Sequence, residues 1–400
     1  MISVGIDVSK GKSTVCIMRP CGEILKPPFE INHTADELDS LASLIKSYDE
    51  ETRVVLEDTG HYHLPVSTYL ASHGIFVCCV NALRMKKFCS QSIRRAKTDK
   101  IDSVKIAAFG ITYWNWNELT EAYSSAITYD ELRFMARQYY QITSMFVKAR
   151  VNLSNLLDQV MPKIQTILHD QPSSHKMIEF VDRYIHFQNI LDMGERKFTA
   201  DYCKWAKIKG YRCNERKAAE IFALAQNGIP TLPNSQSVKI AVSEAIRMIH
   251  SIEESRNTIL TQMQELCKTL PEYSVVRSMN CIGDTLAPRI IAEIGDVRRF
   301  NNKHSLIAYA GIDSPPYQSG AFNATERHIS KRGNAYLRKT GYEIMQSLIK
   351  HKPQDDPVYD FIQKKRDEGK CGKEAMIAGL NKFLRVYYGK VMEIYSSETS

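Results

Sequence analysis

Apolar residues fill Ile2 to Ile6 and stop at Asp7. Ser13 to Met18 then alternates, and Cys21-Gly22 turns the chain toward a third extended segment. Two more apolar bursts follow, Arg53 to Leu56 delivering Glu57 at its end, and Ile75 to Val80. Between them Pro65 opens a helix-like stretch that runs to Ser72. Thr98 suits the N-cap of a helix carrying Asp99, Ile101, Asp102, Val104 and Ala108. Strands alternating with helices predict an α/β domain at the N-terminus.

The middle of the chain changes period. Leu132, Met135, Tyr139, Ile142, Phe146, Ala149, Leu153, Leu156 and Val160 follow the three-and-four spacing of a coiled-coil seam. A second seam runs through Val242, Ala245, Ile249, Ile252, Arg256, Ile259, Met263, Leu266 and Leu270. Such seams pair as a hairpin within one chain, join across chains, or merge into a helical bundle, and Arg256 would be a polar break facing a partner. Pro162 ends the first long helix, and residues 166–234 carry shorter helical patterns broken by Gln171-Pro172-Ser173-Ser174, Gly210, Gly228 and Pro230. Tyr202, Trp205 and Tyr211, interleaved with Lys204, Lys207, Lys209 and Arg212, could stack on single-stranded RNA. Core aromatics flanked by solvated lysines account for them better, and no RNA contact is assigned there.

The resulting layout is residues 1–125 as a first domain, 126–270 as helical arms with an insertion, and 271–400 as a second domain, its tail after Tyr387 expected to fray. A chain of 400 residues with 44% hydrophobic content supports two or three folded cores. Ten cysteines without CxxC pairs argue against a zinc ribbon, and Cys203 with Cys213 lacks companions. No signal peptide precedes Val4 and no apolar run is long enough to span a bilayer, so reduced thiols in a bacterial or archaeal cytoplasm, near the nucleoid, are expected.

The net charge of +8 is modest, so its meaning comes from clustering. From Arg84 to Lys105 stand eight basic residues, Arg84, Lys86, Lys87, Arg94, Arg95, Lys97, Lys100 and Lys105, with only Asp99 and Asp102 among them. Asp99 and Asp102, three apart on a helix, share a face. Asp7 and Glu57 each close a strand, so the four acids can converge although they are distant in sequence. Hard divalent cations take such oxygen ligands, and two ions roughly 3.5–4 Å apart clamp the attacking and leaving oxygens of a phosphodiester. A basic track with isolated acids in it fits a phosphate backbone led to a metal. Any one of these acids alone reads as a solvated surface charge.

GIDVSK, LEDTG and KTDKIDS resemble the RuvC-like DEDD domain of insertion-sequence family 110 transposases. IAEIGDVRRF (Ile291 to Phe300), LIAYAGI (Leu306 to Ile312), YQSG (Tyr317 to Gly320) and HISKRGNAYLRK (His328 to Lys339) resemble that family's C-terminal domain, in the right order. The resemblance implies an α/β RNase H/RuvC-like N-terminal domain, central helical coiled-coil arms and a mainly α C-terminal domain. It implies Mg²⁺ or Mn²⁺ on Asp7, Glu57, Asp99 and Asp102, and Ser319 as a nucleophile. It further implies donor and target DNA, an element-encoded noncoding guide RNA that delegates sequence choice to base pairing, and a homo-oligomer, dimer or tetramer. Arg94, Arg95, Lys97, Lys331, Arg332 and Arg338 are the expected nucleic-acid contacts, phosphate-directed rather than base-reading. Ser330, in the same HISKRGN segment, is expected to cap the following helix.

MNCIGDTLAPRIIAEIGD resembles a helix-hairpin-helix, but Asn280 and Cys281 stand where related sequences carry proline and glycine. GIDVSKGKS also resembles the first phosphate loop of actin-like ATPases and sugar kinases, which need a second Gly-rich loop that is not found. A junction endonuclease using water needs only the four acids. A nucleic-acid-binding protein without chemistry needs none of them.

Overall fold

A computed structural model describes the protein apart from Thr59 and residues 91–97, 116–126, 171–174, 315–317, 320–321, 324–327 and 398–400. Two compact units result, residues 1–124 and 125–400. The first is a five-stranded sheet, β1 (Ile2–Val8), β2 (Lys12–Met18), β3 (Ile24–Asn32), β4 (Thr52–Glu57) and β5 (Val77–Val80), ordered β3-β2-β1-β4-β5. β1 to β3 form an antiparallel meander, whereas β4 and β5 run parallel to β1. This order and mixture of directions are those of the expected RNase H/RuvC-like sheet.

Alternation sorts each strand's residues onto two faces. Ile2, Val4, Ile6, Val54, Leu56 and Val77 pack on the face covered by α1 (Ala35–Lys46) and α2 (Leu64–Ser72). Val55, Cys78 and Val80 pack on the other, with Met85 of α3 (Ala82–Cys89) and Ile106 and Phe109 of α4 (Asp99–Thr112). Thr98 caps α4 as expected, its Oγ1 accepting from the Ile101 N–H at 3.3 Å. β1 extends to Val8, so Asp7 lies inside the strand's last two residues rather than just past its end.

The second unit is almost wholly helical. Its first half comprises α5 (Ile127–Val160), α6 (Ile164–Ile167), α7 (Lys176–Tyr184), α8 (Phe187–Met193), α9 (Glu195–Ile208), α10 (Glu215–Asn227) and α11 (Gln236–Lys268). Then come α12 (Tyr273–Ser278), α13 (Leu286–Ile294), α14 (Lys303–Ala310), the short strands β6 (Gln318–Ser319) and β7 (Phe322–Asn323), α15 (Ala335–His351), α16 (Pro357–Asp367) and α17 (Gly372–Ser397). The long helices α5 and α11 pack antiparallel within the chain: Leu132 to Tyr140 share one core with Met263 and Cys267, and Ala149 to Val160 share another with Val242 to Ile249. Burial therefore concentrates at the two ends of the pair, while Ile142, Phe146, Ile252 and Ile259 between them are only half-buried. Arg256 does face the partner helix, its guanidinium 4.4 Å above the Phe146 ring and 3.2 Å from Glu253.

Tyr202 and Trp205 are buried among Phe180, Tyr184 and Phe198, so these aromatics build the insertion's core. Among the described residues the tail after Tyr387 is helical, and the last three residues, 398–400, lie outside them. α17 continues to Ser397, because Val391 is buried and the Tyr395 hydroxyl donates to the buried Glu272 at 2.9 Å. Among the described residues no helix is long and apolar enough to cross a membrane.

Candidate active site and nucleic-acid interface

Glycine sets the first unit's site. A Cβ on Gly5 would fall 2.2 Å from the Ala107 nitrogen and 2.4 Å from the Ser103 oxygen, and one on Gly110 would fall 2.1 Å from the Ser3 Oγ. Helix α4 therefore rests directly on β1 and runs antiparallel to it, Gly110 over Ser3 and the 103–107 turn over Gly5. Two residues further along β1, about 6.6 Å, lies Asp7. The same distance back along α4 is four to five residues at about 1.5 Å each, which reaches Asp99 to Asp102. On the sheet, Ile6 pairs with Leu56, so Asp7 and Glu57 come next in register on adjacent parallel strands, both on the face under α4.

Electrostatics agree with this convergence. Burial raises the Cys89 thiol's pKa, Lys105 opposes that, and the charges of Asp102, Glu57 and Asp7 push it up further. Three of the four expected acids thus act on one point at the end of α3. All three are half-buried. Asp102 has a cation nearby, Lys105 Nζ at 3.8 Å. Asp99, the first residue of α4, is exposed. Among the described residues no three His, Cys, Asp or Glu side chains already stand close enough together to enclose a metal.

Of the residues expected in the second unit, Lys331 and Arg332 lie on the segment leading into α15, Arg338 within that helix and Ser319 on β6. Ser319 ends β6 and pairs with Phe322 of β7. Lys331 and Arg332 are exposed, on a turn that docks on the end of α14: the Ser330 N–H donates to the Asp313 carbonyl and the Lys331 N–H to that of Gly311. A Cβ on Gly333 would fall 2.3 Å from the Tyr309 oxygen, so glycine is required for this close approach. The expected cap assignment is corrected here. Ser330 Oγ donates to Asp313 Oδ1 and accepts the Arg332 N–H, whereas Asn334 caps α15, its Oδ1 accepting from Tyr336 and Leu337 at 3.0 Å. That cap occupies N–H groups of the helix's first turn, so they are not open to an external acceptor. Arg338 is half-buried and donates from Nη1 to the Ala310 and Gly333 carbonyls, which braces the turn. Arg94, Arg95 and Lys97 lie outside the described residues.

In the hairpin between α12 and α13, Cys281 adopts φ +62°, the left-handed conformation that glycine takes at least cost. Sequence reading missed Gly5, Cys89, Glu293, Arg137 and Asn334. A glycine inside an apolar strand was a signal for the first, and an asparagine before a helical pattern for the last. Nothing in the linear pattern marked the others.

An α/β sheet of this order, with acids grouped where strands end, defines the RNase H/RuvC-like class. The family model of the DEDD transposase of IS110 matches residues 4–162, and that of the transposase IS116/IS110/IS902 family matches residues 273–360, together more than half of the chain. The chain belongs to the IS110 family of transposases. It is 30% identical over 111 residues to a putative transposase, y4rJ, of Sinorhizobium fredii, covering 28% of each protein. It is 25% identical over 136 residues to the pilin gene-inverting protein of Moraxella bovis, covering 33% of this chain and 42% of that one. The chain thus spans less than half the length of these relatives. The structure of T. thermophilus RuvC in complex with a Holliday junction substrate aligns at 10% identity over 30% of this chain and 99% of that one, with a TM-score of 0.24.

Proposed function

We propose that this protein is a DNA transposase or recombinase that exchanges strands through a serine and a divalent-metal site. The observation that carries this reading is the alignment of Asp7 and Glu57 on neighbouring parallel strands beneath the helix end that bears Asp102. Their shared negative field at Cys89 is one that a hard cation would neutralise, and half-buried carboxylates are the donors such a cation takes. Asp7, Glu57, Asp99 and Asp102 would hold Mg²⁺ or Mn²⁺, which when bound supplies charge stabilisation to a phosphodiester undergoing displacement.

The chain's own residues do the rest. Ser319 Oγ attacks a DNA phosphorus, a phosphoserine ester forms, the bond to the 3′ oxygen breaks, and that oxygen leaves as a hydroxyl with the proton the serine gave up. A 3′ hydroxyl of another strand then attacks the same phosphorus and releases the serine. The number of ester bonds is conserved, so no nucleotide cofactor is needed. Lys331 and Arg332, with Arg94, Arg95, Lys97 and Arg338, are proposed to hold nucleic acid, donor and target DNA with a guide RNA, on a homo-oligomer.

A plasmid recombination assay with the element's ends and flanking noncoding sequence tests this, comparing wild type with Ser319→Ala and Asp102→Ala. Loss of recombination in both, with nucleic-acid binding retained, is the expected result. If Ser319→Ala stays active while Asp102→Ala is dead, the protein uses water and Ser319 is a turn residue.

A further inference from the structure

The second unit contains a carboxylate that the proposed chemistry does not use. Glu293 of α13 is 0% exposed. Its Oε2 accepts from Arg137 Nη2 at 2.9 Å and from Asn334 Nδ2 at 2.7 Å, while Oε1 has no hydrogen-bond partner among the described residues. Burial pushes its carboxyl pKa up, against the pull of Arg137, Asn334, Arg133 and Arg289. A buried charge is tolerated only where its partners are fixed, so this one holds whatever it touches firmly in place.

What it touches is the entry to α15. One Asn334 side chain serves two structures: its Oδ1 caps α15, and its Nδ2 reaches Glu293 Oε2 and, at 3.2 Å, the Tyr309 hydroxyl. The Asn334 N–H also donates to the Tyr309 carbonyl at 2.7 Å, and Lys331 and Arg332 stand only three and two residues earlier, respectively, on the exposed turn. Arg137 links the same carboxylate outward, its guanidinium 3.7 Å from the centre of the exposed Tyr336 ring.

We propose that Glu293 is a positioning residue: through Asn334 it fixes the turn that presents Lys331 and Arg332 to a nucleic-acid phosphate backbone. This rests on the reading of that turn as a nucleic-acid face. Neither Glu293 nor Asn334 touches the ligand. Their bond sets where two cations stand, and so how many phosphates are neutralised at once.

The test is the salt dependence of binding to a short fluorescent DNA duplex, with far-UV melting to check folding. Each lost phosphate contact lowers the slope of log affinity against log salt by about 0.9. Lys331→Ala/Arg332→Ala sets the reference and is expected to lower the slope by about 2. Asn334→Ser keeps a capping oxygen but cannot reach Glu293, and is expected to lower the slope by about 1 or more. Asn334→Asp keeps the cap yet faces a second carboxylate, with a loss at least as large. Adding Glu293→Gln to Asn334→Asp restores a donor–acceptor pair with the roles exchanged, and is expected to recover most of the slope.

An unchanged slope in Asn334→Ser, where Lys331→Ala/Arg332→Ala lowers it, overturns the positioning role and leaves the nucleic-acid face standing. A double variant no better than Asn334→Asp overturns the part played by Glu293. An unchanged slope in Lys331→Ala/Arg332→Ala overturns the reading of the face, and the positioning role with it. If Asn334→Asp does not fold, Asn334→Ser and Glu293→Gln decide by the same slopes.

Discussion

Asp7, Glu57 and Asp102 of the first unit are half-buried where two parallel strands end, placed by the short stretch of chain that forms each element. Glu293 of the second unit is fully buried and held by Arg137, 156 residues earlier, and Asn334, 41 residues later. The first group keeps solvent access and a shared negative field, which suits a charged ligand that arrives from outside. The second is enclosed among its own cations, which suits a fixed support. Exposure and the origin of the counter-charge, rather than the carboxylate itself, separate the proposed reaction centre from the proposed strut.

The sharpest way to break this contrast is to neutralise an acid of the first unit. Asp7→Asn should lower strand exchange on the order of 10³-fold, the loss of about 4 kcal/mol of charge stabilisation. Its melting temperature should stay close to wild type because the group is only half-buried. Activity within tenfold of wild type would remove Asp7 from the site.

Gly5→Val tests whether α4 must lie directly on β1. The added atoms meet backbone nitrogen and oxygen of α4, so helix or strand has to move, at a cost of about 3 kcal/mol in urea unfolding with loss of activity. An unchanged midpoint would show that the close approach is dispensable.

Arg137→Ala addresses the second unit. Removing a partner of a buried charge should cost about 3 kcal/mol, whereas Glu265→Gln, which breaks the exposed, solvent-screened pair with Lys268, should leave the urea midpoint unchanged. Equal costs in denaturant titrations would erase the distinction between strut and surface pair.

The smallest expected effect is a pH dependence in the first unit. His63 is buried, its Nδ1 3.6 Å from Asp58 Oδ1, and burial lowers its pKa with Asp58 opposing. The unfolded chain therefore takes up a proton near pH 6.5 that the folded one resists. Stability is fully present above that pH and declines as pH falls toward the folded value. His63→Gln should flatten the wild-type difference in urea midpoint between pH 7.5 and 5.5, and an identical difference in the variant would exclude His63 as its source.

Much of the first unit was legible because its signals are local. Apolar bursts that stop at Asp7 and Glu57, and a threonine three residues before Ile101, mark strand ends and a helix start without reference to anything distant. Asp99 shows the limit of that reading: spacing puts it on a face with Asp102, yet Asp99 is exposed and Asp102 half-buried, a difference set by what packs around the start of α4. In the long helices the three-and-four spacing located α5 and α11, but the depth of burial along them depends on what else packs there, and that is greatest at the two ends.

By itself the sequence determined the periods: where strands and helices fall, which acids end strands, and where basic residues cluster, since each depends on residues a few positions apart. Only the tertiary structure decided that Gly5 admits α4, that Asn334 and not Ser330 caps α15, and that Glu293 joins Arg137 to Asn334. Those outcomes depend on packing distance and on burial. Neither is defined until segments far apart in sequence have been brought together and have displaced water.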